Sequence, residues 1–179
     1  MFKEEPTMVT GIILIILTLL RVPSAIVSGR NEARIKAHGG LEFGKTNSRA
    51  LIVVQFLIYL STIGYAIVED VPVGVHTYIG LVVYAFAMAV LIYVIRTLGR
   101  FWTFKIYIAK GHQLIETPLF KRVKHPNYYL NMIPEVLSFA IISQGWVVFI
   151  PLFVLHLITL FNRIRLEEKV MRKKFRGDK

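Results

Sequence analysis

The sequence predicts an all-α integral membrane protein with about five transmembrane helices, the last two forming a hairpin, and a cytoplasmic extension of the final helix. Three observations carry this expectation. Of 179 residues, 55% are hydrophobic and the mean hydropathy is +0.56, a balance that water-soluble domains of this size rarely show. The apolar residues fall in runs: Ala50 to Val68 is 19 residues without Asp, Glu, Lys, Arg or His, and Val71 to Ile95 is 25 residues whose titratable groups are His76, Tyr78, Tyr84 and Tyr93. Both runs reach the length needed to cross a bilayer. Finally, the charge is one-sided, since 20 of the 22 Lys and Arg fall in residues 28–49, 96–124 and 162–179.

Taken in order, the first span covers about residues 8–27. Arg21 and Pro23 stand near its end, where a cation can snorkel to the interface and a proline can end or kink a helix. A cleavable signal peptide is the rival reading, but Glu4 and Glu5 spoil the basic n-region. A cytoplasmic loop, 28–49, follows, with a polar helix from Asn31 to His38 and then the loop signals Gly39-Gly40 and Lys45 to Ser48. The second and third spans are expected at 50–68 and 73–95, joined by a turn at Glu69-Asp70. The cytoplasmic loop 96–126 opens with the aromatic stretch Phe101 to Ile108, which is read either as the wall of a pocket or as an interfacial amphipathic segment.

Spans at 127–143 and 146–165 then form a hairpin about Ser143-Gln144-Gly145, with Pro126 in the first helical turn and a cytoplasmic tail over 166–179. The whole chain, 1–179, is expected to be one domain. Since cytoplasmic connections attract Lys and Arg, the N-terminus lies outside and the C-terminus in the cytoplasm, in a bacterial or archaeal plasma membrane. The net charge of +11 then reflects topology and attraction to anionic lipid, not nucleic-acid binding.

With no cysteine in the chain, disulfides, thiolate zinc sites, iron–sulfur clusters and a catalytic thiol are excluded. The histidines show no spacing that suggests a metal site. Chemistry falls to His, Tyr, Asn, Arg, Glu or a bound cofactor. Basic and aromatic residues meet at a helix start in Phe120 to Glu135, which includes Lys124-His125-Pro126-Asn127-Tyr128-Tyr129. Pro126 restricts His125 to extended geometry and leaves backbone donors open. The segment is therefore either a docking point for a polar ligand or an interfacial belt. Glu135, inside the same helix, is read as functional or as a carboxylate paired with an interfacial cation. Arg163 and Glu167 share a helix face four residues apart where the last span leaves the membrane. There a guanidinium can fork an anionic oxygen while a carboxylate orients it or takes up a proton.

His125-Pro126-Asn127-Tyr128, followed one hairpin later by Arg163, Glu167 and Glu168, resembles the signature of the isoprenylcysteine carboxyl methyltransferase family over roughly the C-terminal half. The resemblance implies a helical membrane enzyme that uses S-adenosylmethionine, releasing S-adenosylhomocysteine, to methylate an oxygen of a lipidic substrate arriving laterally from the bilayer. It places His125, Pro126, Tyr128 and Asn131, with Gly111, His112 and Gln113 before them, at the cofactor, and Arg163 and Glu167 at the reacting groups. Glu135, Trp102 and Tyr129 are the candidate substrate contacts. Leu130 stands where many relatives carry Gly. Asn127 to Asn131, Ile133 to Glu135 and the loop from Arg30 to Gly44 are similar to a bacterial branch associated with alkylpyrone O-methylation. The acceptor is thus a prenylcysteine-type carboxylate or an alkylpyrone or phenolic hydroxyl. The alternatives are N-methylation of a phospholipid amine and a non-catalytic lipid-binding or transport protein.

Overall fold

The computed structural model describes residues 8–108 and 118–176. They are mostly helical: α1 (Val9–Leu19), α2 (Val22–Ala37), α3 (Lys45–Val68), α4 (Val75–Leu98), α5 (Pro118–Arg122), a π-helical turn (Asn127–Met132), α6 (Ile133–Ser143) and α7 (Trp146–Arg176). Two three-residue strands, β1 (Leu41–Phe43) and β2 (Ile106–Ile108), pair antiparallel with Leu41 opposite Ile108. This ribbon is absent from the all-α expectation. It ties the loop after α2 to the segment after α4, and so gathers both at one end of the bundle.

Four helices are long and apolar enough to cross a membrane: Val9–Ala37, Lys45–Val68, Val75–Phe101 and Trp146–Arg172. Their outer faces carry exposed apolar stripes, such as Val53, Phe56, Leu57 and Leu60 on α3 and Val147, Ile150, Val154, Ile158 and Phe161 on α7. So much contiguous apolar surface is foreign to a protein facing water, and it suits a lipid solvent.

α1 and α2 form one kinked helix, in which the expected first span and the polar helix from Asn31 merge. Pro23 has no N–H for the Leu19 carbonyl, and its ring crowds that carbonyl, so the helix bends at Leu20-Arg21 without ending. At this bend the Arg21 amide bonds Thr18 O at 3.1 Å. The Leu17 carbonyl instead accepts the Tyr84 hydroxyl of α4 at 2.6 Å, which satisfies a backbone group that hydrocarbon would leave open. Arg21 does not snorkel. Its Nε lies 2.8 Å from the buried carboxylate of Glu135, a partner 114 residues away that local sequence does not reveal.

α6 is the central element, with Val136, Phe139, Ala140 and Ile142 buried in a core that also holds Leu14, Leu17, Val54, Ile58, Tyr84 and Phe149. Its start lies at the ribbon end of the bundle, where Tyr128 shares a cluster with Leu51. Its far end turns at Gly145, against the ring of Tyr65. The N-terminus of α1 lies at that far end too, since Met8 N bonds Asp70 at 3.3 Å. Close approach of α4 to α6 depends on Gly80: a Cβ there would collide with the Ile142 side chain and stand 3.0 Å from the Ser138 carbonyl oxygen.

Gly64, by contrast, has open space beside it. Gly80→Val should lower the thermal stability of the purified protein by about 1–3 kcal/mol through overpacking, whereas Gly64→Ala should raise it by up to about 1 kcal/mol through helix propensity. Equal melting temperatures for the two variants in detergent would contradict this packing.

Candidate functional site

The His125-Pro126-Asn127-Tyr128 motif lies on a π-turn, and Pro134 accounts for its geometry. In a regular helix the Pro134 nitrogen would oppose the Leu130 carbonyl, which it can neither bond nor approach. Widening the preceding turn moves that carbonyl aside, as π-turns do. The turn carries Tyr128 inward, where it is buried among Leu51, Met132, Leu160 and Ile164. The His125 ring stacks on Tyr128 with 5.6 Å between centroids.

The Tyr128 hydroxyl is the junction of the site. It donates to the Glu167 carboxylate and accepts from Arg163 Nε at 3.1 Å. Arg163, only 2% exposed, also donates from Nη1 to Ser48 Oγ at the start of α3 and from Nη2 to the Phe104 carbonyl just before β2. All three guanidinium nitrogens are therefore engaged by the protein. The four-residue spacing of Arg163 and Glu167 suggested a direct ion pair, but the phenol sits between them and each reaches Tyr128. One turn outward, Glu168 accepts from Lys124 at 2.5 Å and lies 3.3 Å from His125 Nε2. Hydrogen bonds from Lys124 and then His125 hold its carboxyl below the usual carboxylate value.

The other candidates divide. Pro126 is buried at the start of the turn. Asn131 is fully buried; its Nδ2 donates to Asn127 at 3.1 Å, and its Oδ1 has no partner among the described residues. Glu135 lies seven residues deeper and pairs with Arg21 and Tyr59, away from Arg163. Trp102 packs with Leu91 and Val94, in a different cluster from Tyr128. Tyr129 is 48% exposed, on the outward side of the turn. Gly111, His112 and Gln113 lie outside the described residues.

Ser48, the Phe104 carbonyl, Gln55 and Tyr59 are polar contacts that sequence reasoning missed. Ser48, Gln55 and Tyr59 are seven and four residues apart, one helix face, and that periodicity was the available signal. Asn31 was expected only as the start of a polar helix in the loop 28–49. Its Nδ2 donates to the carbonyls of Gly99 and Trp102 at 3.0 and 2.8 Å and so anchors the turn that leads into Phe104.

The Glu168 clamp has a defined pH dependence. A carboxyl whose value is depressed by folding stabilises the folded state above its ordinary value, near 4.5, and that contribution is lost as pH falls through the depressed value. Hydrogen-exchange protection of residues 122–126 should therefore hold from about pH 7 down to about pH 4.5 and fall only below it. Glu168→Gln should lower protection across the whole range. Loss of wild-type protection already between about pH 6 and pH 5, or a variant indistinguishable from wild type, would contradict the clamp.

Comparison with known proteins bears on the family of the chain. The profile of the Isoprenylcysteine carboxyl methyltransferase (ICMT) family matches residues 78–173, which include the π-turn and the site face of α7. An uncharacterized protein of Haemophilus influenzae is 36% identical over 152 residues, covering 85% of this chain and 88% of its own. The uncharacterized protein YpbQ of Bacillus subtilis is 26% identical over 163 residues, 90% of this chain and 96% of its own. No solved structure matches. Membership points to a membrane methyltransferase, and the four apolar helices are consistent with that location. With its profile running over more than half of the sequence and through every contact of Tyr128 on α7, the chain belongs to the isoprenylcysteine carboxyl methyltransferase family.

Proposed function

We propose that the protein is an S-adenosylmethionine-dependent O-methyltransferase acting on a membrane-embedded amphiphile. The observation that carries this reading is the Tyr128 junction, where a motif turn, the end of an apolar helix and two carboxylates meet at one end of the bundle. The residues present fit the cofactor. Asn131 offers a buried amide oxygen without a partner among the described residues, the stacked His125 and Tyr128 rings offer a flat face, and Glu167 with Glu168 offers acceptors for a cationic ligand. These residues, with Pro126 and the segment of Gly111, His112 and Gln113, would hold it. When bound, the cofactor supplies an electrophilic methyl on a sulfonium.

The chain's own work is alignment and proton removal. Packing of Leu51, Met132, Leu160 and Ile164 about Tyr128 keeps water from the junction, which strengthens its polar contacts. Because Arg163 spends a donor from each nitrogen on Tyr128, Ser48 and Phe104, it acts as a positioning residue that fixes the phenol and the β2 approach. Glu167 is the catalytic base: its carboxylate takes the proton of the acceptor hydroxyl as the oxygen gains the methyl. A prenylcysteine-type carboxylate acceptor would need no such base, so the junction favours a hydroxyl of the alkylpyrone or phenolic kind.

In this reading all of 1–179 is one methyltransferase domain with five spans, residues 127–143 being the one added to the four long apolar helices. Support comes from their run between the Ser48 and Tyr65 levels of α3, about 25 Å by helix rise. Lys45, Arg49, Arg96 and Lys124 lie toward the junction end, which supports a cytoplasmic location for that end and the C-terminus, with the N-terminus outside.

Calorimetric titration of S-adenosylmethionine and S-adenosylhomocysteine into the detergent-purified protein should show roughly micromolar binding, about −8 kcal/mol, that is lost in His125→Ala. No binding of either ligand to folded protein would overturn the reading. Glu167→Ala should cut transfer of labelled methyl to bacterial lipid extract by about 10²–10⁴-fold. Arg163→Ala should fall comparably, with Arg163→Lys recovering cofactor affinity in part but not the fork to Tyr128. Near-normal turnover in both alanine variants would remove these assignments.

A further inference from the structure

The Glu135 carboxylate is fully buried in the middle of the bundle, away from the Tyr128 junction. Its Oε1 is held by Arg21 Nε at 2.8 Å and by the Tyr59 hydroxyl at 2.6 Å, and Tyr59 in turn accepts from Gln55 at 2.6 Å. Two atoms of this pair stay open among the described residues: Glu135 Oε2, an acceptor, and Arg21 Nη1, a donor, both buried. In hydrocarbon an unpaired polar atom costs several kcal/mol. One open atom belongs to each partner, and the pair that bears them carries no net charge.

We propose that Arg21 and Glu135, steadied by Tyr59, form a binding site within the bilayer for the neutral hydroxyl of an amphiphile. A hydroxyl has the two functions that the open atoms lack, a donor for Glu135 Oε2 and an acceptor for Arg21 Nη1. A carboxylate head brings a second negative charge against Glu135, and a plain hydrocarbon leaves both atoms open. Access is lateral. Arg21 retains 15% side-chain exposure at the kink, and its neighbours Leu19, Leu20 and Val22 face the lipid.

The site also lies in line with the junction. Tyr128, Asn131 and Glu135 are all buried at helical spacing on the π-turn and α6, so Glu135 lies about 10 Å below Tyr128. The Asn131 oxygen, without a partner among the described residues, stands between them. An amphiphile captured at Glu135 is thus on the path to Glu167. The inference uses the methyltransferase reading only to name the occupant as the methyl acceptor; capture of the hydroxyl stands without it.

The test uses the full chain in phosphatidylglycerol-containing nanodiscs and a hexadecanol probe bearing a diazirine beside its hydroxyl, with cross-linked peptides mapped by mass spectrometry. Labelling should fall on the peptides around Arg21, Tyr59 and Glu135, and unlabelled hexadecanol should compete about tenfold better than hexadecane or palmitate. The double variant Arg21→Met/Glu135→Leu removes both charges together, a change that leaves buried pairs' host proteins folded. It should lose about tenfold in labelling while retaining calorimetric binding of S-adenosylmethionine. Tyr59→Phe, which deletes one hydroxyl, should show a smaller drop in the same direction. Labelling that is absent, indifferent to head group, or undiminished in a folded double variant would overturn the site. Absent cofactor binding with head-selective labelling would overturn the methyltransferase reading and leave the site standing.

Discussion

A buried guanidinium decides how this molecule is assembled. Arg163 sits on an otherwise apolar helix at 2% exposure, where an unpaired cation would be untenable. Its partners come from three separate parts of the chain: Ser48 at the start of α3, the Phe104 carbonyl before β2, and Tyr128 on the π-turn. Satisfying one side chain therefore fixes the start of α3, the approach to β2 and the motif turn against α7. Glu167 completes the arrangement by accepting from Tyr128, so the phenol cannot rotate without breaking two charge-assisted bonds.

The same economy recurs deeper in the bundle. α6 is short because it need not meet lipid; it is wrapped by α1, α3, α4 and α7. A helix so enclosed can carry polar groups, and it carries Asn131 on the preceding turn, Glu135 and Ser138, all fully buried. The outer helices keep their polar residues on the inward face and their exposed apolar stripes outward. The result is a column of polar side chains leading from the Tyr128 junction toward the bilayer centre, closed to water by the apolar residues packed around it and open to lipid near Arg21.

Much of this architecture follows from hydropathy, and the misses have local causes. The uncharged run Ala50 to Val68 lies wholly within α3, because about five turns of apolar side chain leave no competing structure in lipid. The first helix runs on to Ala37 where an end was also open, since a proline bends a helix that tertiary contacts on both sides hold together. Asn31 shows such a contact, bonding the carbonyls of Gly99 and Trp102. The ribbon escaped notice because three-residue strands carry no measurable alternation. At the site, His125, Tyr128, Arg163 and Glu167 were legible as two motifs, and the structure brings Arg163 and Glu167 to the Tyr128 phenolic oxygen with His125 stacked on the ring. Arg21 with Glu135 and Arg163 with Ser48 were not legible, since each joins residues more than 100 positions apart and nothing in local spacing encodes the partner.

The central claim is that Tyr128 and Glu167 act as one unit. A double-mutant cycle of Tyr128→Phe and Glu167→Gln, read by thermal unfolding in detergent and by cofactor affinity, tests it directly. The account predicts a coupling energy of at least about 1 kcal/mol in both readouts, as for residues sharing one buried hydrogen bond. Additivity within about 0.3 kcal/mol would mean that the two side chains are neighbours without being partners, and the junction would lose its place at the centre of the molecule.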